Sequence, residues 1–212
     1  MSCLKSIIDK DCRGLSPLRK NNIHPNYVKT DGPFYVGTGS LDAPIGVRRF
    51  IERAAKALAQ KGYTLRSGHY TGCEETFELN AGGQADIYIP YGNFRSNTII
   101  KGNPILCDHS TKNSAVVLAR SDLANLFDWH KSNSMPPNSV VNLYIRSAML
   151  VIGYESTPIF PEFVVLWEKP LRNNIDGPTN YTYQVAKHYK IPIYNLWNFD
   201  EEDQFEADFL SF

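Results

Sequence analysis

Glycine alternates with hydroxyl-bearing residues immediately after an apolar segment, in the run Gly37, Thr38, Gly39 and Ser40. Two glycines let backbone N–H groups converge on a ligand, and the two hydroxyls add donors for a phosphate. A helical pattern follows, and a helix directs its partial positive charge towards its amino end. The run has neither the spacing of a dinucleotide fingerprint nor the lysine of a P-loop. It therefore predicts an anion site or, alternatively, a turn whose glycines serve only the backbone.

A second polar turn with a similar composition follows the next apolar segment. Its candidate ligand contacts are Ser67, Gly68, His69 and Gly72. Just beyond it, Glu74 and Glu78 lie four residues apart, which places both on one face of a helix. Either carboxylate is a candidate to bind ribose hydroxyls or to act as a general base. The alternative is that they are first-turn acids, which the helix dipole favours.

The remaining candidate ligand contacts are a third helix start and two arginines. Gly177, Thr179 and Asn180 precede a helical pattern, where Thr179 or Asn180 would also serve as an ordinary N-cap. Arg95 lies among aromatic residues and is a plausible phosphate partner, although an exposed arginine in such a segment is common. Arg146 interrupts an apolar helix, so it is expected to be ion-paired or to face a pocket.

The elements that would position these residues alternate between strand and helix. Strands are predicted at residues 33–37, 63–68, 85–91, 161–169 and 191–198, and helices at 43–62, 73–83, 113–130, 136–153 and 180–190. This alternation predicts an α/β, Rossmann-like three-layer sandwich with a mainly parallel sheet and helices on both faces. Ligands in such sheets lie at the carboxyl ends of the strands, so the candidate loops are 37–42, 67–72, 90–97 and 168–179.

Composition limits the classes of function. The 212 residues are 42% hydrophobic, with 22 Lys and Arg against 22 Asp and Glu, so zero net charge argues against wholesale nucleic-acid binding. Four cysteines without a CxxC pair predict neither a zinc site nor another metal site, and no cofactor is indicated. The amino terminus is too polar for a signal peptide, and no apolar run of about 18 residues predicts a membrane span. We expect a cytoplasmic protein with an extension at 1–32, one domain at 33–198 and an acidic helical tail at 199–212.

The motifs together resemble the SLOG superfamily, which contains the DprA-like and LOG-like Rossmannoid domains. They are "YVGTGS", "ALAQKGYTLRSGH" with "GCEETFE", "ADIYIP", and "GPTN" with "VAKHYKIPIYNL", which span about residues 33–197. The nearest look-alikes are uncharacterised SLOG proteins of bacteriophages and bacteria. The resemblance implies a nucleotide or nucleotide-derived ligand held across the three glycine-containing loops, and a homodimer in the cytoplasm, that of the host if the chain is phage-encoded.

Departures from the family pattern leave several functions open. Leu41 stands where the pattern has arginine, and His69 replaces the second glycine of the second loop. The phosphoribohydrolase signature of LOG enzymes is absent. The first hypothesis is a nucleotide-ligand-binding protein that senses, sequesters or cleaves the N-glycosidic bond of its ligand, with Glu74 or Glu78 catalytic. The alternatives are a DprA-like single-stranded DNA-binding protein and a non-catalytic interaction protein.

Overall fold

The computed structural model describes residues 32–108, 113–129, 136, 138–170 and 177–210, so nearly all of the predicted 1–32 extension lies outside the described residues. The strands are β1 (Phe34–Gly39), β2 (Thr64–Ser67), β3 (Ala85–Ile89), β4 (Asn103–Leu106), β5 (Phe163–Trp167) and β6 (Ile193–Asn195). The helices are α1 (Ile45–Gln60), α2 (Cys73–Asn80), α3 (Ser114–Leu126), α4 (Asn138–Ile152), α5 (Gly177–His188) and α6 (Phe199–Phe205), and a π-helical turn (Glu206–Leu210) follows α6.

The six strands form one parallel sheet in the order β4-β3-β2-β1-β5-β6. The chain builds outward from β1 to β4 and then returns to place β5 on the other side of β1. This reversal creates a topological switch point between β1 and β5, where ligands of open α/β sheets bind. The predicted α/β, Rossmann-like fold is confirmed.

Helices cover both faces of the sheet because successive strand residues point to opposite sides. Tyr35 and its β5 partner Phe163 face one buried cluster, which α1, α2 and α6 complete. Val36 and its partner Val164 face the other cluster, which α3, α4 and α5 complete. Both β1 and β5 are therefore buried on two sides, which is typical of central strands in a parallel sheet.

Two strand assignments differ from the sequence prediction. β1 extends to Gly39, so Gly37, Thr38 and Gly39 belong to the strand rather than to a loop that starts at residue 37. The reason is that these three residues pair in register with Val165, Leu166 and Trp167 of β5. β4 was not predicted, because its four residues "NPIL" are short, include a proline and are only half-buried. Its place at the edge of the sheet tolerates the proline.

The acidic tail packs on the sheet through two phenylalanines, Phe205 and Phe209. Phe205 is fully buried, and its ring lies 5.8 Å from that of Phe163. Phe209 lies 4.0 Å from Phe163 in the π-helical turn. None of the helices in the described ranges has the length and hydrophobicity that crossing a lipid bilayer requires.

Candidate functional site

A cavity of about 290 Å³ lies at the switch point, above the carboxyl ends of β1 and β5. Loops after three strands, the start of α5 and one side chain each of α2 and α4 form its walls. The lining residues are Gly39, Ser40, Leu41, Tyr70, Glu74, Arg146, Glu168, Gly177, Pro178 and Thr179. Six of these were predicted ligand contacts or catalytic residues, so the fold brings together a large part of the predicted site.

The end of β1 forms the cavity floor because it approaches β5 very closely. A Cβ on Gly39 would lie 2.5 Å from the carbonyl oxygen of Trp167, and the φ of Gly39 is +141°, so only glycine fits here. Ser40 N donates to the same carbonyl at 2.9 Å. Gly37 is explained differently, because a Cβ there would lie 2.6 Å from the ring of Phe77 on α2. Gly37 thus lets α2 pack on the sheet.

The second polar turn contacts the first through its backbone. A Cβ on Gly72 would lie 2.7 Å from Ser40 O, and Cys73 N donates to that oxygen at 3.3 Å. Ser67 is fully buried in β2, where its hydroxyl donates to Gly37 O at 2.7 Å. Gly72 therefore joins the two turns at the cavity, whereas Ser67 ties neighbouring strands together.

A buried ion pair between α2 and α4 forms one wall of the cavity. Arg146 Nη1 lies 3.3 Å from Glu74 Oε2, and Arg146 Nη2 lies 3.5 Å from Glu74 Oε1. Thr38 Oγ1 donates to Glu74 Oε1 at 2.8 Å, and Tyr70 N donates to Glu74 Oε2 at 2.9 Å. Arg146 Nη1 also donates to Gly68 O at 2.7 Å. Every oxygen of this carboxylate is thus hydrogen-bonded, which a buried charge requires.

Glycine at position 68 makes room for this ion pair. A Cβ on Gly68 would lie 2.5 Å from the Arg146 guanidinium carbon and 2.8 Å from Glu74 Oε2. The ring of Tyr70 lies on the cavity side, with its centroid 5.9 Å from the Arg146 guanidinium carbon. Phe94 packs behind Tyr70 with ring centroids 5.6 Å apart. The aromatic residue that faces the cavity is therefore Tyr70, which the sequence analysis did not select.

The opposite wall is the first turn of α5, which begins at Gly177 rather than at the predicted residue 180. Pro178 occupies the second helical position, where its missing N–H removes no helical hydrogen bond. Thr179 lines the cavity and is buried. Asn180 instead accepts a hydrogen bond from Gln184 Nε2 at 3.3 Å and is not among the lining residues. The amino end of α5 carries no acidic residue in its first turn.

Glu168 completes the cavity and was also not selected from the sequence. Its backbone is fixed by Asn195 at the end of β6. Glu168 N donates to Asn195 Oδ1 at 3.1 Å, and Asn195 Nδ2 donates to Glu168 O at 2.9 Å. The parallel register of β5 and β6 thus determines where this carboxylate enters the cavity.

Three predicted site residues lie in a second polar cluster outside the cavity lining. His69 Nδ1 lies 2.7 Å from Glu78 Oε2, and both side chains are buried. His69 Nε2 lies 2.8 Å from Thr98 Oγ1, which itself donates to Arg95 O at 2.7 Å. Lys101 N donates to Glu78 Oε1. Since the Thr98 proton is used, His69 Nε2 is the donor there, and one proton is shared between His69 Nδ1 and Glu78.

Arg95 belongs to the same cluster. Its Nη1 donates to His69 O at 3.0 Å, and its Nη2 donates to Glu75 Oε1 at 2.8 Å. Both Arg95 and His69 have left-handed backbone conformations, with φ of +46° and +60°. This conformation is uncommon for residues other than glycine, and histidine adopts it more readily than arginine. The bonds therefore hold residues 94–101 against α2.

Two further observations limit the chemistry of the site. Burial, followed by the nearby carboxylates of Glu74 and Glu168, raises the pKa of the Cys73 thiol to about 12. A thiol with that pKa is not a nucleophile at neutral pH. Within the described ranges, no group of three or more His, Cys, Asp or Glu side chains is placed to hold a metal ion.

A comparison with solved structures gives a similarity of fold, whereas the sequence comparisons give no match. No family model matches the chain, and no curated protein matches it. The resemblance to the SLOG superfamily therefore stays a prediction. A solved structure of DNA processing protein A from Helicobacter pylori, studied for its single-stranded DNA binding mode, aligns with a TM-score of 0.47 and 15% sequence identity. The alignment covers 77% of this chain and 65% of that chain, so this chain spans about two thirds of that protein.

Proposed function

We propose that the chain binds a small, nucleotide-type anionic ligand in the cavity between β1 and β5. The observation that carries the proposal is the position of this cavity: it opens at the topological switch point and is closed by the amino end of α5. Switch points are where open α/β sheets bind ligands, and helix amino ends favour anions.

The size of the cavity favours a ligand no larger than a mononucleotide. Its volume of about 290 Å³ lies at the lower end of ligand pockets, which range from about 300 to 1,000 Å³. A dinucleotide or a strand of DNA needs an extended surface.

The wall chemistry matches the parts of such a ligand. Thr179, Ser40 and the first turn of α5 all line the cavity, and hydroxyl donors together with a helix amino end suit a phosphate. Tyr70 presents an aromatic ring, which suits a base. Glu168 supplies a carboxylate, which suits the hydroxyls of a ribose.

Binding without cleavage is the better-supported form of this function. Glu74 was predicted to be catalytic, yet both of its oxygens are held by Thr38, Tyr70 and Arg146. Glu78 shares a proton with His69 and is not among the lining residues. Among the lining residues, Glu168 is the carboxylate outside this ion pair, so hydrolysis would have to depend on Glu168.

A thermal-shift screen over mononucleotides, cyclic nucleotides and nucleoside diphosphates tests the proposal. A ligand that binds only the folded state raises the melting temperature. At a concentration one hundred times its Kd, such a ligand adds about 2.7 kcal/mol to the free energy of unfolding. Tyr70→Leu and Ser40→Ala should each weaken the binding of a ligand that the screen identifies. Tyr154→Leu, an exposed position outside the cavity lining, is the matched control.

Two outcomes would contradict the proposal. One is that no nucleotide shifts the melting temperature while a single-stranded oligonucleotide binds with strong salt dependence. The other is that Tyr70→Leu and Tyr154→Leu weaken the binding of an identified ligand to the same extent. Product analysis with the hit then separates binding from cleavage, and Glu168→Gln should abolish any turnover that is found.

A further inference from the structure

A second and larger cavity lies at the carboxyl ends of β5 and β6, and we call it the aromatic groove. It measures about 1180 Å³ and runs between the start of α1, α5 and the segment from β6 into α6. Its aromatic lining residues are Trp167, Tyr183, Trp197 and Phe199. Phe199 is 79% exposed and Trp197 is 41% exposed. Exposed aromatic side chains that line a groove with polar edges are typical of protein contact surfaces.

One edge of the aromatic groove is strongly acidic. Residues 199–210 contain six Asp and Glu and no Lys or Arg, and Asp200, Glu201 and Glu202 line the groove. Glu201 is engaged, because it accepts from Asn195 N at 2.7 Å and from Asn198 Nδ2 at 3.0 Å. Burial, followed by repulsion from Asp203 and Glu206, raises the pKa of Glu202. This edge therefore favours a cationic partner.

We propose that the chain's own amino-terminal segment, residues 1–31, binds in the aromatic groove. These residues lie outside the described structure. They contain six Lys and Arg against three Asp, so they complement the acidic edge. They also contain the apolar residues Leu4, Ile7, Ile8, Leu15 and Leu18, which match the aromatic lining. Opposite charges direct such an association and apolar anchors supply most of its energy.

The length of the chain permits this contact. The described chain begins at Gly32, at the amino end of β1, whereas the groove lies at the carboxyl ends of β5 and β6. The six residues of β1 span about 20 Å, and the two strand spacings from β1 to β6 add about 10 Å sideways. Residues 21–31 alone reach about 35 Å when extended. Residues 1–20 can therefore reach the groove of the same molecule.

Disulfide capture in the full-length chain tests the proposal, since the segment carries Cys3 and Cys12. A cysteine is introduced by Phe199→Cys, the protein is mildly oxidised, and the linked peptides are identified by mass spectrometry. Val117→Cys, 59% exposed on α3 at the other face of the sheet, is the matched control. The native Cys73 and Cys107 are fully buried and do not compete. A docked segment should link to position 199 about tenfold more than to position 117, because docking raises its local concentration.

Charge supplies a second measurement. Arg19→Glu with Lys20→Glu, in the Phe199→Cys chain, should lower the linked fraction severalfold, and so should 0.5 M salt. Equal linking at positions 117 and 199, or none at 199 in a folded protein, would overturn the proposal. Links between two chains, seen as a dimer on a non-reducing gel, would also overturn it and would assign the groove to a second copy. These outcomes are independent of whether the cavity at β1 and β5 binds a nucleotide.

Discussion

The Glu74 carboxylate and the Arg146 guanidinium form a two-point contact, at 3.3 and 3.5 Å, although 72 residues separate them in the chain. Both side chains are almost completely buried, and both line the cavity between β1 and β5. The pair links α2 on one face of the sheet to α4 on the other, across the carboxyl ends of the strands. The same two side chains therefore stabilise the fold and shape the candidate site.

Breaking this pair from either side should destabilise the protein strongly. Glu74→Gln and Arg146→Met should each lower the free energy of unfolding by about 3 to 5 kcal/mol, because each leaves a buried charge without its partner. The double variant should lose less than the sum, and urea unfolding of all four proteins measures the difference. Additive losses would show that the two side chains do not interact.

Gly68→Ala should destabilise the protein and weaken ligand binding together. The added methyl would lie 2.5 Å from the Arg146 guanidinium carbon, so the ion pair must shift, at a cost of about 1 to 3 kcal/mol. Gly46→Ala is the matched control, since no atom lies within 4 Å of its Cβ position in α1. That control should gain up to about 1 kcal/mol, as expected for glycine replaced within a helix. Thermal unfolding of the two variants should therefore shift in opposite directions.

The stability of the protein should depend on Cys73 at alkaline pH. Burial raises the pKa of this thiol from 9.0 to about 12, so the unfolded chain releases the proton first. The contribution of the protonated Cys73 thiol to the free energy of unfolding is complete below pH 9, and it is lost as the pH rises towards 12. The stability advantage of the wild type over Cys73→Ala should therefore shrink steadily between pH 8.5 and 10.5 in urea titrations. A constant difference across this range would contradict the raised pKa.

Glu78→Gln should loosen residues 94–101 without changing ligand affinity. The substitution removes the carboxylate that shares a proton with His69 and accepts from Lys101 N, which should cost about 1 to 3 kcal/mol. Hydrogen exchange should accelerate at residues 94–101, and the Kd of a hit from the nucleotide screen should stay the same. Glu52→Gln, on the exposed face of α1, is the control for charge. If ligand affinity falls while hydrogen exchange at residues 94–101 stays the same, Glu78 belongs to the ligand site instead.

The fold was predictable from the sequence where the hydrophobic pattern was strong. The apolar run of β5 and the helical spacing of Phe50, Ile51, Ala54, Ala55 and Leu58 in α1 each fit one kind of element, and all of these residues are buried. β4 escaped prediction because its pairing with β3, including the bond from Asn103 Nδ2 to Asp86 Oδ1 at 2.9 Å, is a long-range contact. The sequence pattern of only four residues cannot predict such a pairing.

The sequence could predict which loops form the candidate site, because the carboxyl ends of parallel strands converge at one edge of the sheet. Parallel strands bring their carboxyl ends to one edge, which is why Ser40, Glu74 and Thr179 meet around one cavity. Which way each side chain turns within that edge was not predictable. His69 turns towards Glu78 and Thr98, and Arg95 turns towards Glu75 on α2. Tyr70 instead turns towards the cavity. Such choices depend on hydrogen bonds between residues that are distant in the chain.

The buried position of Phe205 and Phe209 has a consequence for biosynthesis. These rings complete the layer that covers Phe163 and Tyr194, and they follow both of those residues in the chain. While the ribosome still holds this segment, the part of the sheet around Phe163 and Tyr194 stays open to water. The nascent chain therefore completes this layer only after residue 209 has left the exit tunnel, and a stop codon just before α6 would leave this part of the face uncovered.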